Sequence, residues 1–160
     1  MITNLLLDVL KRSAPSRIVN VSSKLHSGTI NFQDIEMKKS FSGQKAYAQS
    51  KLALILFTKF IAKKLSGTGV TANCVHPGFI ATNLGRDANF IMRTAFKLLG
   101  KPPEKGAKTS IYVASSPDVE KITGEYFADK KVKQSSRESN DMKMAEKLWA
   151  VSEEYVEEFL

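Results

Sequence analysis

Tyr47-Ala48-Gln49-Ser50-Lys51-Leu52-Ala53-Leu54-Ile55-Leu56-Phe57, with Phe60 and Ile61 just beyond it, is the stretch on which the fold turns. Leu52 to Phe57 leave almost no polar face. A helix that is apolar all round is covered on both sides. The pattern predicts a helix from about position 45 to position 65, with one side on a sheet. The other side needs a second helix or a second copy of the chain, the latter giving a homodimer through the 45–65 helix. Lys63 and Lys64 suit a helix C-terminus, and Gly67 suits the stop.

Near the start of that helix stand Tyr47 and Lys51, four residues apart and therefore on one face. At about 1.5 Å rise per residue they lie about 6 Å apart along the axis. An ammonium at that range favours the phenolate over the phenol. A phenol so assisted can exchange a proton with an alcohol or a carbonyl near neutral pH. The spacing alone decides nothing, because Tyr126 and Lys130 repeat it. That second pair falls on a short strand-like run and its exit, where the two side chains do not share a helical turn.

Outward from the helix, the chain alternates. Leu5-Leu6-Leu7-Asp8-Val9-Leu10-Lys11 reads as the end of an amphipathic helix entered without a cap, so the chain is expected to start in mid-element. Arg17-Ile18-Val19-Asn20-Val21 is a β-branched run that ends at Ser22-Ser23, and it predicts a buried strand. Ligands of open parallel sheets bind beyond the carboxyl ends of strands, so the two serines are well placed. Positions 24–44 form a long polar connection. Val70-Thr71-Ala72-Asn73-Cys74-Val75 predicts a second strand, ended sharply by His76-Pro77-Gly78. Positions from about 79 to 101 suggest a substrate flap. Pro102-Pro103-Glu104 opens another helix, running to about position 115. Gly124 to Ala128 predicts a third strand, 130–140 a loop, and about 141–160 a terminal amphipathic helix with Leu148 and Trp149 in its packing face. The whole, 1–160, reads as one α/β domain: a parallel sheet with helices on its faces.

Composition excludes several classes. The formal charge of +8 comes from lysines scattered along the chain, without interleaved aromatics, so no nucleic-acid partner is expected. No run of 18 apolar residues exists, so no membrane span is expected. Asp8 interrupts the first leucine run and no basic segment precedes it, unlike a secretory leader. The lone Cys74 excludes an internal disulfide and suits a reducing, cytoplasmic setting. His26 and His76 have no cluster of His or Cys around them, so no metal is expected; both are assigned to loop and packing roles.

Taken together, Ser22-Ser23 after a strand, Tyr47 and Lys51 on a buried helix, and Pro77-Gly78 after the next strand resemble the short-chain dehydrogenase/reductase family. Ser13 to Ser23, Tyr47 to Leu56 and Val75 to Gly78 are most similar to its retinol dehydrogenase-like branch. The resemblance covers nearly the whole chain, about residues 2–155. It implies a partial Rossmann-like, doubly wound parallel sheet with flanking helices. It further implies an NAD(P)-dependent oxidoreductase interconverting an alcohol and a carbonyl, with a hydrophobic alcohol, aldehyde or ketone as substrate and NADP favoured over NAD. Tyr47 would be the general acid/base. Lys51 would assist it and bond the nicotinamide ribose, and Ser23 would hold the substrate oxygen while Ser22 is structural. Pro77, Gly78 and Ile80 would cradle the nicotinamide, and Thr82 would meet the phosphates or the carboxamide.

The departures from the family pattern are as informative. The glycine-rich pyrophosphate turn, T-G-x-x-x-G-x-G, is not present, nor is the Asn-Asn-Ala-Gly strand end. The one Gly-x-Gly, Gly67-Thr68-Gly69, follows a helix and precedes a strand, the reverse of the required context. The family's catalytic Asn has no counterpart, because Asn4 sits too late in its helix. The resemblance therefore implies the carboxyl-terminal portion of a longer enzyme, weak or inactive alone, with endoplasmic-reticulum association if an anchor accompanies it. A non-catalytic remnant acting as a binding or dimerising module is the alternative.

Overall fold

The computed structural model describes residues 1–80 and 102–159. Helix α1 spans Ile2–Arg12 and leads into strand β1, Ser16–Val21. Helix α2, Gly43–Lys64, is the longest described element. Strand β2 is Val70–His76, helix α3 is Pro103–Ser115, strand β3 is Tyr126–Ala128 and strand β4 is Lys131–Val132. Helix α4, Met142–Val156, closes the series and runs on into a 3₁₀ turn at Glu157–Phe159.

The sheet order is β1-β2-β3-β4. β1 runs parallel to β2 in the register Ser16↔Val70 to Val21↔Val75, and β2 runs parallel to β3 with Cys74 opposite Tyr126. β4 folds back antiparallel on β3. Successive strand residues face opposite sides of a sheet. Cys74 accordingly packs with Ile55 and Tyr126, while its neighbour Val75 packs with Val113, Val119 and Phe127. Helix α2 covers the first face and α3 the second, the two-sided layering expected of a doubly wound sheet.

The far side of α2 lies against α4. Leu52 and Leu56, both at 0% exposure, meet Ala145 and Leu148. Further along, Phe57 stacks on Trp149 with ring centroids 5.7 Å apart. The second covering that the apolar helix requires is thus another helix of the same chain. Where a plain loop was expected at 130–140, the chain forms β4 and a 3₁₀ turn at Glu138–Asn140. Among the described residues no helix is long and apolar enough to cross a membrane, and no group of His, Cys, Asp and Glu could hold a metal ion.

Candidate functional site

The carboxyl ends of β1 and β2 lie side by side, and the ladder continues one residue past β1: the Ser22 amide donates to the Val75 carbonyl at 2.8 Å. Ser22 is buried, and its Oγ donates to the Lys51 carbonyl at 2.9 Å. That bond ties the exit of β1 to the third turn of α2. The Lys51 side chain returns the connection: Nζ donates to the Val21 carbonyl at 3.3 Å. The same Nζ sits 5.4 Å from the centroid of the Tyr47 ring. Lys51 therefore reaches from the Tyr47 ring to the last residue of β1, next to the two serines. One ammonium N–H goes to Val21, leaving two donors for hydroxyls of a bound molecule.

Ser23 is held by its backbone. Its carbonyl accepts from the Tyr126 hydroxyl at 3.2 Å and lies 2.7 Å from Nδ1 of His26. Its Oγ accepts from the Leu25 amide at 3.2 Å. The next amide, Lys24, donates to Nδ1 of His76 at 3.2 Å, which draws the end of β2 into the same cluster. Pro77 and Gly78 follow directly. Gly78 has φ +92°, a left-handed conformation open to glycine at no steric cost. Ile80 packs on α3 at Gly106, where an added Cβ would come within 2.7 Å of its side chain. Thr82 lies outside the described residues, as do positions 81–101 of the flap expected at about 79–101.

Burial sets the titration of two groups beneath the site. Desolvation pushes the Cys74 thiol up to about 11, against smaller opposing hydrogen bonds from Thr58 and Ser22. Burial likewise raises Tyr126 to about 12. Both are neutral at physiological pH, so Tyr126 keeps the proton that it donates to Ser23. A cavity of about 220 Å³ lies on another flank of α2, lined by Ile30, Ile35, Met37, Ala46, Ala53 and Leu148 among others, and includes none of Ser23, Tyr47 or Lys51.

The structure thus gathers Ser22, Ser23, Tyr47, Lys51, Pro77 and Gly78 at one end of two parallel strands. It adds Tyr126, His26 and Ser136, which the sequence did not single out for this place. His26 bonds Ser23 from three residues away, whereas Tyr126 reaches Ser23 and Ser136 reaches His26 across more than a hundred positions.

The short chain dehydrogenase family profile matches residues 1–90. Retinol dehydrogenase 14 of Mus musculus is 49% identical over 160 residues, covering 96% of this chain and 48% of that protein. A solved structure of an uncharacterised protein from Mycobacterium paratuberculosis has a TM-score of 0.72 and 32% identity, over 95% of this chain and 53% of the other. The Pseudomonas aeruginosa RhlG/NADP active-site complex has a TM-score of 0.58 and 25% identity, over 78% of this chain and 50% of the other. The chain spans about half the length of the curated relatives it matches.

Proposed function

The chain belongs to the short-chain dehydrogenase family, and from that premise we propose that it carries the proton-transfer centre of an NAD(P)-dependent oxidoreductase interconverting an alcohol and a carbonyl. The observation that supports this most is the placement of Lys51, between the Tyr47 ring and the carboxyl end of β1 beside Ser22 and Ser23.

In this reading Tyr47 gives a proton to the carbonyl oxygen during reduction and takes one from the alcohol during oxidation. Lys51 supplies positive charge beside the ring, and its two remaining donors suit the hydroxyls of a ribose. Ser23 donates its hydroxyl proton to the substrate oxygen and steadies the charge that develops there. When bound, the nicotinamide supplies or accepts the hydride. Pro77, Gly78 and Ile80 border the nicotinamide end, where the positive φ of Gly78 leaves its backbone approachable. Thr82 is assigned to the phosphates or the carboxamide by resemblance.

The substrate class is a hydrophobic alcohol, aldehyde or ketone, in line with the retinol dehydrogenase names of the relatives. NADP is favoured over NAD, with the NADP complex of RhlG as support. The buried lone thiol of Cys74 suits a reducing compartment, so we assign the protein to the cytoplasm, or to the endoplasmic reticulum where an anchor accompanies it.

The second reading is a non-catalytic binding or dimerising module. Two observations favour it: Ile2, Leu5, Leu6 and Val9 of α1 are exposed, and among the described residues β1 has no strand on its outer edge. Open edges invite pairing. A homodimer through α2 is not needed to cover that helix, because α4 does so.

Turnover separates the readings. These residues are joined to the part of retinol dehydrogenase 14 that they do not match, and NADPH consumption is followed with a hydrophobic aldehyde. Consumption supports the enzyme reading. A folded hybrid without it supports the module.

A further inference from the structure

We propose that His26 is a positioning residue for Ser23, fixing the serine through its carbonyl while itself anchored to the segment that starts α4. The inference rests on the reading of Ser23 as the hydroxyl that meets the substrate oxygen.

His26 is 7% exposed, and both of its ring nitrogens are engaged. Nδ1 is 2.7 Å from the Ser23 carbonyl, which can only accept, so Nδ1 carries the hydrogen. The Ser136 amide donates to Nε2 at 3.0 Å, so Nε2 presents its lone pair. The two partners select the same neutral tautomer. Tyr126 closes the arrangement: its ring lies 5.1 Å from the imidazole at 56°, and its hydroxyl donates to the same Ser23 carbonyl.

Ser136 is a firm anchor. Its Oγ donates to the His26 carbonyl at 3.2 Å. Its own carbonyl accepts from Ser139 Oγ at 2.6 Å and from Asn140 Nδ2 at 2.8 Å. Asp141 then accepts from the Lys143 and Met144 amides and caps α4. α4 in turn packs on α2, the helix that bears Tyr47 and Lys51. Ser23 and the Tyr47–Lys51 pair are thereby referenced to one packed unit rather than to a free loop. A misplacement of about 1 Å in such a group costs about 10²-fold in rate.

A histidine that merely packed two loops together would be replaceable by any side chain preserving the Ser136 bond. The two roles separate by mimicry. His26→Asn keeps a donor where Nδ1 stands, His26→Gln keeps an acceptor near Nε2, and His26→Phe keeps only the ring. Amide exchange at Ser23 and Lys24 is measured in the full chain by NMR, together with the imidazole tautomer of the unsubstituted protein. We expect the Nδ1–H tautomer, near-native exchange in His26→Asn, and exchange about tenfold faster in His26→Gln and His26→Phe, the worth of one buried hydrogen bond. In the hybrid described above, kcat should follow the same order while KM stays level. An Nε2–H tautomer, protection retained in His26→Gln but lost in His26→Asn, or unchanged exchange in all variants would each overturn the proposal. The tautomer is read without any substitution, so an unfolded variant does not decide the matter. If the exchange pattern holds and the hybrid is inactive, the oxidoreductase reading fails and the hold of His26 on Ser23 stands.

Discussion

Ser22 and Ser23 are adjacent, both buried, and differently employed. The Ser22 hydroxyl donates to the Lys51 carbonyl, a strut between β1 and α2. Among the described residues the Ser23 hydroxyl accepts from the Leu25 amide and donates no hydrogen bond, while its carbonyl is doubly held. The two alanine variants should therefore part company. Ser23→Ala is expected to lower kcat of the hybrid by about 10²–10³-fold, with a fall in melting temperature no larger than loss of the Leu25 amide bond entails. Ser22→Ala is expected to cost about 1 kcal/mol of stability, read as a lower melting temperature. A second expectation concerns alkali. Cys74 and Tyr126 have folded-state values raised from 9.0 to about 11 and from 10.0 to about 12, because burial disfavours the charged forms. The stability tied to their protons is whole below pH 9 and is lost as pH rises through 12. Urea midpoints should fall steeply across that interval and stay flat from pH 7 to 8.5, as far as these two groups govern them. At this scale the placement of Tyr47 and Lys51 on one helix face, and of the two serines at a strand end, was legible from helical spacing and from the end of the β-branched run. His26, Tyr126 and Ser136 were not. Ser136 bonds His26 across 110 positions and Tyr126 bonds Ser23 across 103, distances over which sequence carries no periodic signal.

Helix α2 was legible for the opposite reason. Its run of apolar residues demanded two covers, and the molecule supplies β2 on one side and α4 on the other. Leu52→Ala should cost about 2–5 kcal/mol, since that side chain is fully buried against α4. Asp141→Ala should cost about 1 kcal/mol, through loss of the α4 cap. Thermal unfolding of the two variants checks both the size and the order. The β3–β4 hairpin carries little sequence signal. Its turn places Asp129 and Lys130 at φ +48° and +60°. Such turns usually announce themselves with Asn-Gly or Asp-Gly. Here Lys130 occupies the position where glycine would be expected, and the exposed two-residue β4 has no apolar pattern.

At the scale of the molecule, helices cover both faces of a sheet whose two long parallel strands end at the candidate site. That layering followed from the strand-helix alternation. The open outer edge of β1 and the exposed apolar residues of α1 belong to the same scale, because they depend on what else accompanies these 160 residues. The glycine-rich turn that grips pyrophosphate is not among those residues. Calorimetry of the chain alone should accordingly detect no low-micromolar binding of either nicotinamide dinucleotide. Mixing it with random duplex DNA at physiological salt should give no complex, since its lysines are scattered. The most direct test of the proposed centre is the turnover of Tyr47→Phe in the hybrid, at saturating NADPH and hydrophobic aldehyde. Removing one oxygen while keeping the ring beside Lys51 should abolish proton transfer. The expected result is a fall of at least about 10²-fold in kcat with cofactor affinity preserved. Turnover within about twofold of the unsubstituted hybrid, less than general acid–base catalysis contributes, would contradict the assignment of Tyr47.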